Sequence, residues 1–156
     1  MKNIIVSFLT IILICSYQIQ AQKIIYNLKN LDKLKVVIVD QQNVFSDILS
    51  KKLITETKLQ LMTAGIKAGS EEDKCPILQL CVNYIASKFA EHRVLVQFII
   101  IEHVKTNRKS SIETDAISYY DFAFFIAKDV SSAAYDKLKD EMIIRFIEKY
   151  LNDKTE

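Results

Sequence analysis

Cys75 and Cys81 bracket the run CPILQLC, and the chain's one proline, Pro76, follows the first thiol. Such a pair can be a disulfide, a metal site, a redox couple or two separate thiols. The spacing is not CxxC, so neither a thioredoxin-like couple nor a zinc ribbon fits. A disulfide needs Cα atoms within about 7 Å, whereas six residues of strand cover about 20 Å. The run therefore reads as the entrance to a strand with both thiols unpaired. Cys75 sits in the loop before it, and Cys81 within it on the face opposite Leu80 and Val82.

The two histidines, His92 and His103, each follow a glutamate, Glu91 and Glu102. An odd separation along a strand puts two side chains on opposite faces, and His92 is expected in the turn before the strand. Ser110 and Ser111 lie in the tip KTNRKSS, with His103 near in sequence and Asp115 able to approach across a hairpin. A serine nucleophile wants a sharp glycine-flanked turn, which this tip lacks, so a polar hairpin tip is the favoured reading. Phosphate-cradling loops need several glycines, and the chain has two, Gly65 and Gly69. The residues thus give no cofactor, no metal site and no enzyme. A small hydrolase centred on the 105–115 hairpin is the weakest alternative.

The other concentration of interest is aromatic. SYYDFAFF, Ser118 to Phe125, holds five aromatic residues in eight. Strand alternation puts Tyr120, Phe122 and Phe124 on one face, expected to pack on helices. Tyr119, Asp121 and Phe125 take the other face and are the first candidates for a binding surface, since aromatic strands stack well on partners. Lys105, Arg108 and Lys109 form a basic hairpin tip and are the second candidates.

These residues need a scaffold. KLKVVIVD, Lys33 to Asp40, reads as a buried strand. A helix follows, with Phe45, Ile48, Leu49, Leu53, Thr57 and Leu61 along one face, ending at Gly65. Ile66 to Ala68 is a short strand or loop. Ile77 to Ala86 alternates cleanly. RVLVQFIIIEHV and the return strand from Ile112 to Ile126 make a long hairpin. The first arm is apolar on both faces, which marks a central or doubly covered strand. Ala134, Leu138, Met142, Phe146 and Tyr150 then stripe a terminal helix, with Tyr135, Ile143 and Ile147 beside them. The expected fold is α+β: a two-layer domain with a mostly antiparallel sheet of four to five strands and helices on one face.

Ahead of this domain, MKNIIVSFLTIILICSYQIQAQ has the layout of a secretory signal peptide, with Lys2, an apolar run from Ile4 to Cys15 and cleavage after Ala21. Residues 1–21 are read as the leader and 22–156 as one domain. That run is too short to span a bilayer, and the mature chain has no second one. Ile14 before Cys15 is too bulky for bacterial lipid attachment. A net charge of +2 gives no nucleic-acid footprint. No Asn-x-Ser/Thr sequon occurs, which leans towards a bacterial envelope.

The order VVIV, a helix ending LMTAGIKA, PILQLCVNYI, a long hairpin and a terminal helix resembles small periplasmic α/β domains. These are the TolB N-terminal domain, the curli-secretion lipoprotein and the activator lipoproteins of penicillin-binding proteins. The TAGIKA turn, Thr63 to Ala68, is the closest local match. The resemblance implies an envelope protein that binds other proteins, and it carries no functional residue across. The expected function is therefore an exported, non-catalytic interaction domain, periplasmic or extracellular, whose partner is an unknown envelope or extracellular protein. A carrier of a small apolar ligand, held between sheet and helices, is the main alternative.

Overall fold

The computed structural model describes residues 28–88, 91–105 and 112–155. Its strands are β1 (Lys33–Val39), β2 (Lys67–Ala68), β3 (Ile77–Ile85), β4 (His92–Lys105) and β5 (Glu113–Ala127). Helix α1 (Asp47–Thr63) joins β1 to β2. After β5 come α2 (Val130–Asp136), a π-helical segment (Lys137–Met142) and α3 (Ile143–Thr155). The sheet order is β2-β1-β3-β4-β5. β3, β4 and β5 pair antiparallel, as consecutive hairpin-like strands do. β1 runs parallel to β2 and β3, because a helical crossover returns the chain to the same end of the sheet. The α+β, two-layer expectation holds. The expected leader lies outside the described residues, and none of the helices among them is long and apolar enough to cross a membrane.

Helix α1 is bounded by its own sequence. The Ser46 hydroxyl accepts the Leu49 amide, capping the first turn. At the far end Gly65 takes φ 88°, a left-handed conformation that costs glycine nothing. The Gly65 amide donates to the Met62 carbonyl at 3.0 Å and the Ile66 amide to Leu61 at 2.9 Å. This is a Schellman closure, sealed by apolar contact between the fully buried Leu61 and Ile66. Leu53, Thr57 and Leu61 are the buried residues of the helix. Ile48, expected on that face, is 82 % exposed. Five residues before Leu53, it points about 140° away from it.

The second glycine is needed for space. A Cβ at Gly69 would sit 2.6 Å from Cys75 Sγ and 3.2 Å from the Lys35 amide. Its own amide donates to the Leu34 carbonyl at 2.7 Å. The loop between β2 and β3 is also held by Asp73, which accepts from Lys33 at 2.8 Å and from the Ser70 amide and hydroxyl. Lys33 first, then Ser70, holds the Asp73 carboxyl down to about 2. Cys75 and Cys81 are both free, as the strand geometry requires.

All the described helices pack on one side of the sheet. Ala134, Leu138, Met142, Phe146 and Tyr150 are each fully buried, so the predicted stripe is the core face. A stripe at strict four-residue steps overshoots a full α-helical turn by about 40° per step. Over four steps it would wander roughly 160° round a regular helix. The π segment takes up the excess, because its wider turn accommodates an additional residue. Phe146 then lands 5.1 Å, ring to ring, from both Phe98 on β4 and Tyr119 on β5. Replacing Phe146 with alanine deletes the centre of that cluster and is expected to cost about 3–5 kcal/mol of stability, measurable by urea denaturation.

Candidate functional site: the open face of the sheet

Side chains alternate across a strand, so a single helix layer leaves half of each strand's residues uncovered. On β4 the covered set is Val94, Val96, Phe98 and Ile100, all fully buried. Their partners on β5 are Tyr119, Asp121, Ala123 and Phe125. The other set of β4, from Arg93 to Ile101, and Tyr120, Phe122, Phe124 and Ile126 of β5 face away from the helices. Register assembles them into rows across the sheet, such as Val37, Gln79, Ile99 and Tyr120, and next to it Val39, Cys81, Gln97 and Phe122.

The two aromatic sets are therefore exchanged relative to the sequence expectation. Tyr119 is 5 % exposed and packs on Phe98 and Phe146. Phe125 is half-buried under the Lys137 ammonium, 5.7 Å from its ring centre. Asp121 ties β5 to α3: its Oδ2 accepts from Arg145 Nε at 3.0 Å and Nη2 at 2.8 Å, and its Oδ1 accepts the Phe122 amide. Phe122 and Phe124, expected under the helices, are 56 % and 61 % exposed on the other side. The structure thus brings Tyr119, Asp121 and Phe125 together at the sheet–helix seam, and the uncovered aromatic face belongs to their neighbours. The signal was Arg145, whose position 24 residues on gives Asp121 a helix-side partner.

A break in the pairing between Ile100 and Ile101 resets β5. Tyr119 sits opposite Ile100 and Ile117 opposite Ile101, so Ser118 is the additional residue of a bulge. Beyond it the odd-numbered residues of β5 turn to the open side. Ile117, Asp115 and Glu113 thereby continue the face that Tyr120, Phe122 and Phe124 began.

Gln97 Nε2 donates to the Tyr120 hydroxyl at 2.9 Å. Cys81 is 6 % exposed, flanked by Val39 and Gln97, and burial pushes its thiol up, away from the reactive thiolate.

At the hairpin end, His103 lies opposite Asp115, with Nδ1 at 3.1 Å from Asp115 Oδ1 and Nε2 at 3.5 Å from Glu113 Oε2. One carboxylate sits on each ring nitrogen, so the ring separates them and the three groups do not converge on one ion. Among the described residues no group of three or more His, Cys, Asp or Glu is arranged to hold a metal. His92 is the first residue of β4, and not in a turn; its ring meets Tyr84 edge-on at 5.6 Å. Lys105 ends β4 opposite Glu113. Arg108, Lys109, Ser110 and Ser111 lie outside the described residues.

The space between sheet and helices, where the alternative reading places a carried ligand, is occupied by Phe98, Phe146, Tyr150 and Leu138, all fully buried. An apolar groove of about 390 Å³ lies instead between α1 and α3, open to solvent and lined by Leu59, Gln60, Thr63, Ala64, Ile147 and Leu151.

Asp115, then Glu113, raises the His103 pKa above its ordinary 6.5. The folded chain prefers the protonated ring, so this contact contributes fully below 6.5 and is lost as pH rises through the raised value. An NMR titration should find His103 above 6.5, and Asp115→Asn should move it back towards that value.

No family model and no curated protein matches the chain. Solved structures show low-scoring likenesses. A minor lipoprotein from Acinetobacter baumannii has TM-score 0.37 and 11% identity, covering 76% of this chain and 92% of its own. A PelC dodecamer from Paraburkholderia phytofirmans has TM-score 0.40 and 14% identity, covering 72% and 83%. Rare lipoprotein B from Shewanella oneidensis has TM-score 0.31 and 12% identity, covering 79% and 93%. At these scores the likeness says nothing of function, which rests on the chain's own surfaces.

Proposed function

We propose that this chain is an exported, non-catalytic interaction domain that binds protein through the open face of its sheet. The observation that carries the reading is the exposure of Phe122, Phe124 and Ile126 side by side on β5, at 56 %, 61 % and 62 %. Single exposed apolar residues need no explanation, whereas a contiguous apolar face marks a contact surface. Export rests on the leader-like first 21 residues.

The chemistry-bearing side chains support binding over catalysis. His103 is exposed, with a carboxylate on each nitrogen, and Cys81 is buried and held protonated. The long edge strand β5 adds backbone groups that a partner strand can pair with.

The test is native size. Released from its own cells by mild detergent, the wild-type chain is expected to elute well above its subunit mass. Phe124→Asp is expected to lose that shift, whereas His103→Ala is expected to keep it. Elution of the wild-type chain at subunit size would overturn the proposal.

A further inference from the structure

We propose that the partner on the open face is a second copy of this chain, with two sheets packed face to face into a four-layer helix–sheet–sheet–helix dimer. This rests on the reading of that face as a protein-binding surface and names its occupant.

The area is the first argument. Ile85, Ile117, Phe122, Phe124 and Ile126 are 56–67 % exposed. At roughly 200 Å² per large side chain, these five leave about 600 Å² of apolar surface in water, the upper end of what monomers show. The half-buried Val37, Leu95, Ile99, Ile101 and Tyr120 lie between them. Together they bring the face to about 800 Å², the share each partner contributes to a standard stable interface.

Shape and charge point the same way. Two sheets pack about 10 Å apart when both inner faces are apolar and pleated. The face runs from the row of Lys35, Ile77, Ile101 and Ile117 to the row of Ile85, Arg93 and Ile126. Within it the only charged side chains are Lys35 and Arg93, at its opposite ends, and it holds no carboxylate. A contact centred on Gln97 leaves both cations on the rim in water. Gln97 already donates to Tyr120, so one of its amide N–H groups enters the contact paired. An isologous twofold contact uses the same patch twice, and this patch carries nothing that repels its copy at the centre.

Sedimentation equilibrium on the purified protein, produced from its full-length sequence, tests the proposal. Twice the subunit mass, dissociating on dilution, is expected. Phe122→Glu with Phe124→Glu should sediment as a folded monomer, since both positions are exposed in the single copy. Leu59→Glu, in the helix groove, should stay dimeric. Isotope-filtered NMR on mixed labelled and unlabelled wild-type protein gives a second readout that needs no variant: Phe122 or Phe124 ring protons should show contacts to aliphatic methyls of the other copy. Monomeric wild-type protein at about 100 µM, weaker than any standard-sized interface, would overturn the dimer. So would monomeric protein that binds anionic lipid vesicles through the same phenylalanines. A dimer that survives in the folded double variant would overturn it as well. If the purified chain is monomeric while the native one elutes large, the self-association fails and the protein-binding reading stands; if both are monomeric, both fail.

Discussion

A strand sends successive side chains to opposite faces, and β4 is apolar on both. Val94, Val96, Phe98 and Ile100 go one way, while Leu95, Ile99 and Ile101 go the other. The described residues supply one layer of helices, which covers one of those faces. The rest of the architecture follows from which face that is. The terminal helix brings Phe146 to Phe98 and Tyr119, and Arg145 to Asp121, which fixes the odd-numbered residues from Tyr119 to Phe125 on the helix side. The even-numbered aromatics are left facing water.

Two local irregularities make that arrangement possible. The π segment lets a stripe of four-residue steps stay on one side of the terminal helix. The bulge at Ser118 carries Ile117 onto the open face with Tyr120, Phe122 and Phe124, although the parity of β5 changes there. Both are one-residue adjustments, one of winding on the covered side and one of register on the open side. Their joint effect is a covered face with a closed aromatic core and an uncovered face that is apolar from Ile117 to Ile126.

Much of the fold was legible in the residues. Gly65 ends its helix, Pro76 precedes its strand, and the apolar stripe from Ala134 to Tyr150 is the buried face, as their types and spacing predict. Periodicity recovers these because each element has one distinctly apolar face. SYYDFAFF was different: both of its faces are aromatic, so alternation separates two sets without saying which one meets the helices. Asp121 made its own set look solvent-facing, since a lone carboxylate ordinarily is. Its partner Arg145 lies on another element, beyond what local pattern can pair. Ile48 faces water for a plainer reason: a loose apolar series fits more than one helical register.

The central claim is that Phe122 and Phe124 lie on an open face that association covers, while Tyr119 and Phe146 lie in the core. Hydroxyl-radical footprinting across a dilution series measures this directly. In dilute solution Phe122 and Phe124 should be oxidised readily and Tyr119 and Phe146 hardly at all, with protection of the first pair growing as concentration rises. Rapid oxidation of Tyr119 together with protection of Phe122 and Phe124 at every dilution would contradict the account.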